Sequence, residues 1–289
     1  MIVHSDPLSA VHVADCLSAE AAIEAMAGQR ADALIFDAPF SAKTHEGHKN
    51  GKLTTERAAS FARAQRARGL DSAEIRYASK SGDAAMRRDI VYPHFDGPKI
   101  DLFCRVWLPL CAGWVVSITD DVLAPEWASA FEQAGLYVFA PLPLVELGGR
   151  IRVCGDGPSS WTCWIVVARP RGAPYSKWGT LPGAYVQSAE RDFNRKGGSS
   201  RIVGGKPFKA MCAIVGDYSR RGDLIVDPFC GGGTTLAAAK HMGRRSIGLD
   251  RSELHAKISA KRVAKTREQM SLFEASPERV TFKQEGLFK

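Results

Sequence analysis

The sequence predicts an α/β protein with a mixed, mostly parallel sheet covered by helices on both faces. Three observations predict it. Short continuous apolar runs, such as residues 33–36 (ALIF) and 224–226 (LIV), read as strands buried on both sides. Segments of helical period lie between such runs. A triple-glycine turn, Gly231-Gly232-Gly233, joins one run to an alanine-rich helix start.

Taken in order, residues 11–15 (VHVAD) predict a short strand and 18–26 a helix. Residues 33–36 predict a buried strand that ends at Asp37-Ala38-Pro39-Phe40. From 41 to about 90 the chain is polar and basic; a helix is expected over 55–67 and mobile loop elsewhere. The regular pattern then returns, with a helix over 100–108, a strand over 113–118, a helix over 124–134, and strands over 136–139 and 164–167. Residues 171–205 are again polar and glycine-rich, with aromatics among the basic residues. A helix over 209–215, the strand 224–226, a helix over 234–242, a strand over 246–249 and a basic amphipathic helix over 252–265 complete the pattern.

The chain has 289 residues, long for one compact domain and short for two. With 45% hydrophobic and 24% charged residues it can bury a full core. A formal charge of +8 and a pI near 9.2 favour an anionic partner, nucleic acid first. The seven cysteines are scattered with no CxxC pair, which argues against a zinc site of ordinary spacing and fits a reducing, cytoplasmic setting. The first residues lack the basic and apolar regions of a signal peptide. The apolar runs 107–118 and 136–147 contain prolines and fall short of the roughly 18 residues of a membrane span, so no membrane association is expected. His45 and His48 lack further nearby ligands, so no metal is expected.

Two stretches carry the candidate chemistry. The glycine turn lets backbone approach a ligand, and the helix from Thr234 points free N–H groups at the same spot. Neither a P-loop lysine nor a G-x-G-x-x-G pattern is present. Asp227, at the strand end, would repel a pyrophosphate but suits a cationic ligand. Asp250, ending the next strand, suits the two hydroxyls of a ribose. S-adenosylmethionine has both features. The second stretch is Asp37-Ala38-Pro39-Phe40. The Asp37 carboxylate and the Ala38 carbonyl can accept both hydrogens of an exocyclic base amine and localise its lone pair, with Pro39 stiffening the turn. Phe40 offers a ring on which a flipped base can stack. Read alone, this stretch better fits an Asp-x-Pro turn capping a strand.

Together, DAPF (37–40), GGKPFKAMCAIVGDYSRRGDLIVDPFCGGGTT (204–235) and GLD (248–250) resemble the circularly permuted, beta-class amino DNA methyltransferases. The correspondence runs along most of residues 11–268. It implies a Rossmann-like methyltransferase domain over 1–268. Within it, 41–90 would be a lid or DNA-contacting insertion and 171–205 a target-recognition region, with a tail over 269–289. The permutation explains why the glycine loop comes late. The resemblance also implies residue roles. Asp227 would hold the methionine amino group. Phe229, Cys230, Gly231 and Gly233 would line the methionine end, with Thr234 and Thr235 at the helix start. Asp250 would take the ribose, and Asp15 would lie near the adenine. Lys206 and Pro207 would lead the helix that closes the cofactor site. Ala38 stands where the family has proline, Phe40 where tyrosine is an alternative, and Gly232 where it has serine.

Within 171–205, Arg171, Lys177, Trp178, Arg191, Arg195, Lys196 and Arg201 are the candidate DNA contacts. The implied partner is double-stranded DNA, and relatives of this kind are often homodimers. Gln269-Met270-Ser271-Leu272-Phe273 and Gln284-Glu285-Gly286-Leu287-Phe288 both fit Q-x-x-L-F, which resembles the peptide that docks on bacterial sliding clamps; folding back on the enzyme's own surface is the competing expectation. The expected activity is methylation of adenine N6. Cytosine-N4 methylation uses the same groups. RNA or protein N-methylation and a non-catalytic DNA-binding role are the remaining alternatives.

Overall fold

The structure, a computed structural model, describes residues 1–50, 92–148, 158, 160–172, 178–188 and 205–268. The expected helix over 55–67, much of the 41–90 and 171–205 regions, and both Q-x-x-L-F sequences lie outside the described residues. No helix among the described residues is long and apolar enough to cross a membrane.

Among the described residues, ten strands form one sheet. They are β1 (Ile2–Ser5), β2 (Ser9–Val13), β3 (Ala31–Asp37), β4 (Cys111–Thr119), β5 (Tyr137–Val138), β6 (Leu142–Leu147), β7 (Thr162–Arg169), β8 (Tyr185–Ser188), β9 (Leu224–Asp227) and β10 (Arg245–Asp250). Across the sheet the order is β1-β2-β10-β9-β3-β4-β7-β6-β8, with β5 on β7. The centre, from β2 to β4, is parallel. The outer strands β1 and β7 run antiparallel to their inner neighbours. The step from β2 to β3 passes over two strands, β10 and β9, which the last part of the chain supplies.

Helices cover both faces, as expected. One face carries α1 (Ala19–Met26), α3 (Gly97–Trp107) and α4 (Ala124–Gln133). The other carries α5 (Phe208–Tyr218), α6 (Thr234–His241) and α7 (Glu253–Lys265). Strand β3 shows why its sequence is continuously apolar: Leu34 and Phe36 face the first layer, Ala33 and Ile35 the second. The first core is aromatic-rich. Phe36, Phe103, Trp107, Trp127 and Phe131 are fully buried there, each contributing about 1.5–3 kcal/mol through apolar burial. Ser18, Asp96 and Ser252 cap α1, α3 and α7 through their side chains. Helix α6 starts at Gly233 with no side-chain cap.

The expectation of loop immediately after residue 40 is corrected. A further helix, α2 (Ala42–Asn50), occupies the start of that polar stretch. Its composition gave no apolar period to read. A tertiary contact holds its start instead: the Asp120 carboxylate, just past β4, accepts from the Ser41 amide at 2.9 Å, the Ser41 hydroxyl at 2.6 Å and the Thr44 hydroxyl at 2.5 Å. Strands β1, β6 and β8 are also additions to the sequence reading; all lie away from the double-faced centre, where the apolar signal is strongest.

Strands β3 and β4 approach unusually closely at one end. A Cβ placed on Gly113 would sit 2.1 Å from the Asp32 carbonyl oxygen. The Asp32 carboxylate meanwhile accepts from the Leu224 amide at 2.8 Å, tying β9 to β3. Gly113→Ala should therefore force these strands apart and lower stability by about 1–3 kcal/mol in urea unfolding.

Candidate active site

Strands β3 and β9 are parallel neighbours, with Ala33 opposite Ile225 and Leu34 opposite Val226. Both therefore deliver their terminal carboxylates, Asp37 and Asp227, to the same edge of the sheet. Here the direction of winding reverses. From β9 the chain steps outward to β10, and from β3 it steps the other way to β4, so α6 and α3 lie on opposite faces. That leaves a crevice at the carboxyl ends of β9 and β3, the place where open α/β sheets bind ligands.

Asp227 is buried, with its Oδ1 accepting from the Phe229 amide at 3.0 Å. Burial pushes its pKa up to about 7; the nearby Asp37 and Asp250 charges add to this, against hydrogen bonds from the Thr235 side chain and the Phe229 amide. The glycine turn runs from here into α6. Gly231 is left-handed at φ 47°, and a Cβ there would meet nothing closer than 3.7 Å, so the turn is open on that side. Asp250 ends β10 and braces the turn: its Oδ2 accepts from the Gly231 amide at 3.1 Å and its Oδ1 from the Ser252 amide at 2.7 Å. The Ala14 amide donates to the Asp250 carbonyl at 3.1 Å, which places exposed Asp15 beside that strand end.

Several glycine-loop residues serve packing. Gly233 is also left-handed, at φ 72°, and a Cβ there would lie 2.3 Å from the Ser259 Oγ on α7. Its lack of a side chain lets α7 close on the loop. The Cys230 amide donates to the Leu249 carbonyl at 2.8 Å, and burial pushes the Cys230 thiol well above its ordinary range. The Phe229 ring turns into the first core, stacked on Phe103 at 5.5 Å and edge-on to Phe95 at 5.3 Å. Thr234 Oγ1 accepts from Arg262 at 2.5 Å.

The Asp37 turn is held from three sides. Ala38 is buried in the first core. The Phe95 amide donates to the Phe40 carbonyl at 3.1 Å, joining the turn to the aromatic cluster that also seats Phe229. Asp120 fixes Ser41 beyond it. The Asp120 carboxyl sits below the usual range, because its hydrogen bonds to Ser41, Thr44 and Leu123 outweigh the upward push of burial. Sequence reading missed Asp120; an aspartate after a strand carries no local sign of a partner 79 residues away.

Lys206, immediately before Pro207 and α5, enters the crevice. Its Nζ is 2.6 Å from Asp37 Oδ2 and 4.8 Å from the centre of the Phe40 ring. Its side chain is 6% exposed, and that of Asp37 25%. Burial works against the lysine's charge, but Asp37 more than restores it and holds Lys206 above the ordinary lysine range. The other carboxylate oxygen, Asp37 Oδ1, is buried with no hydrogen-bond partner among the described residues.

The structure does not bring Arg171 or Trp178 to this edge. Arg171 lies over Tyr137, near the end of β7 that pairs with the start of β4. Trp178 packs edge-on against Trp114 at 5.5 Å, with the Arg220 guanidinium 3.7 Å above its ring. Both sit toward the amino end of β4, opposite Asp37 and Asp120. Composition could not separate a DNA-facing tryptophan from one packed against the sheet. Lys177, Arg191, Arg195, Lys196 and Arg201 lie outside the described residues.

Comparison with known proteins fits this geometry. Residues 164–261 match a family model described as DNA methylase. That segment contains Lys206, Asp227, the glycine turn and Asp250, and it leaves out Asp37. The Type II methyltransferase M.EcaI of Enterobacter cloacae is 51% identical over 59 residues, which are 20% of this chain and 13% of that relative's length. Two solved structures share the fold over nearly the whole chain. The M1.HpyAVI–SAM complex has a TM-score of 0.55 at 16% identity, covering 89% of this chain and 99% of its own. The PvuII DNA methyltransferase, described as cytosine-N4-specific, has a TM-score of 0.58 at 12% identity, covering 90% of this chain and 88% of its own. The fold is that of the DNA methyltransferases.

Two predictions follow from the site's energetics. Asp227 is a carboxylate whose folded pKa, about 7, exceeds its ordinary 3.8. The folded state therefore holds a proton across that window while the unfolded state does not, so stability is lost as pH rises from about 4 to 7. Asp227→Asn removes this loss: it should melt higher than the parent at pH 8, by up to about 4 kcal/mol, with the gap closing toward pH 4. Asp120→Ala should instead destabilise by on the order of 3 kcal/mol in urea unfolding, because four hydrogen-bond donors lose a charged acceptor.

Proposed function

We propose that this chain is an S-adenosylmethionine-dependent DNA methyltransferase acting on the exocyclic amino group of a flipped base. Adenine N6 is the first reading. Cytosine N4 is the second, favoured by the likeness to the cytosine-N4-specific PvuII enzyme. The observation that carries the proposal is the adjacency of two carboxylate-tipped parallel strands, β3 and β9, with the open glycine turn directly after one of them.

The residues fit the cofactor. Asp227 offers a buried carboxylate to its ammonium, Asp250 retains lone pairs for ribose hydroxyls, and the open side of Gly231 admits a ligand against backbone. When bound, S-adenosylmethionine supplies a sulfonium-activated methyl group. The protein's part is to prepare the amine. Asp37 Oδ1 has no partner among the described residues, and the Ala38 carbonyl belongs to the same turn; together they accept the two amine hydrogens and localise the nitrogen lone pair. As positive charge grows on nitrogen, the Asp37 carboxylate stabilises it and receives the departing proton, directly or through water. Phe40 supplies the stacking face.

The chain order supports a circular permutation: the strand carrying Asp37 precedes the glycine-turn strand by most of the chain length, yet the two pair side by side. Duplex DNA as partner, a homodimer and clamp docking through the tail belong to the same reading. The test is nucleoside mass spectrometry of DNA from cells expressing the chain, beside an Asp37→Ala control. N6-methyladenine or N4-methylcytosine should appear only with the parent. In vitro, Asp37→Ala should lose at least about 10²–10³-fold in turnover while calorimetry still detects cofactor binding. Near-parental turnover by that variant would refute the assignment.

A further inference from the structure

The sequence reading sets Lys206 at the start of the helix that closes the cofactor site; its ammonium reaches Asp37. It is a donor set beside an acceptor: Nζ is 2.6 Å from Asp37 Oδ2, and Asp37 Oδ1 has no hydrogen-bond partner among the described residues. The ammonium also stands over the Phe40 ring, 4.8 Å from its centre. A base stacked about 3.5 Å from that ring would bring its edge close to the ammonium. The amino bases present a matching edge. Adenine carries its N6 amine next to the N1 acceptor, and cytosine its N4 amine next to the N3 acceptor.

We infer that Asp37 and Lys206 act as one reader of the target base: the carboxylate takes the exocyclic amine while the Lys206 ammonium donates to the adjacent ring nitrogen. This rests on the methyltransferase reading above and adds a second base-contacting residue to it. The contact does two things. It fixes the base's rotation in its own plane, so that the amine and not the ring nitrogen faces the methyl donor. It also occupies the ring-nitrogen lone pair, the competing nucleophile on that edge. Thymine has no exocyclic amine to give Asp37, and guanine's Watson–Crick edge would set its N1–H donor against the ammonium. The cost of burying a lysine beside a carboxylate is then explained by use, since an ion pair of this kind adds little stability by itself.

The test uses duplex DNA carrying the enzyme's mapped site, with the target adenine replaced by 1-deazaadenine or 7-deazaadenine. For a cytosine target, 3-deazacytosine replaces it. The parent enzyme should lose on the order of 10–100-fold in kcat/KM when the ring nitrogen on the amine's edge is removed, and little with 7-deazaadenine. Lys206→Met should be slowed on normal DNA by a similar factor and be indifferent to the same deletion. Lys206→Arg should regain part of both the rate and the discrimination. Cofactor affinity of Lys206→Met should stay near the parent's. Equal transfer by the parent to adenine and 1-deazaadenine overturns the inference alone, as does a Lys206→Met enzyme that still discriminates. Should Lys206→Met fail to fold, the parent's contrast between the two deaza bases decides the matter. A parent that methylates no DNA refutes the methyltransferase reading, and the inference falls with it.

Discussion

The parallel pairing of β3 with β9 is the constraint on which the rest depends. Its register sets Leu34 opposite Val226, so the two strands end within a few residues of each other. Two carboxylates and two turns then share one crevice. The reversal of winding at this seam keeps both flanking helices off the edge, because α3 and α6 descend on opposite faces. The Asp32 side chain secures the other end of the seam by accepting from the Leu224 amide.

The crevice concentrates negative charge. Asp37, Asp227 and Asp250 end three successive strands, and burial plus mutual repulsion raise the cost of ionising Asp227. Lys206 is the cation facing Asp37, and its charge survives burial because that carboxylate is in contact. Such a site favours a cationic ligand on one side and an amine about to become cationic on the other. It is held at some expense of stability, as functional sites commonly are.

Rigidity comes from beneath and beside the turns. One aromatic cluster seats Phe229 of the glycine loop and, through Phe95, the carbonyl of Phe40 in the other loop. The two halves of the site thus rest on a common floor, although they lie far apart in sequence. Asp120 clamps the chain just after Phe40, and Gly233 lets α7 press against the glycine turn. Each contact fixes backbone, which is the part of the site that must not drift.

By itself the sequence determined the alternating α/β plan, because strands buried on both faces must be continuously apolar and the intervening helices amphipathic. It also determined the chemical identity of the two turns. DAPF and the Asp227 loop are local signals, each carried by a few consecutive residues. Tertiary structure decided what depends on distant partners. The destination of the Lys206 ammonium, the anchoring by Asp120 and the helix after Ser41 rest on contacts spanning 76 to 169 residues, invisible to any local pattern. It likewise decided that Trp178 and Arg171 lie against the far end of β4, since a basic, aromatic composition fits solvent, nucleic acid or a packed surface alike. Sequence carries periodicity and short-range chemistry; only the closed fold assigns each long side chain its partner.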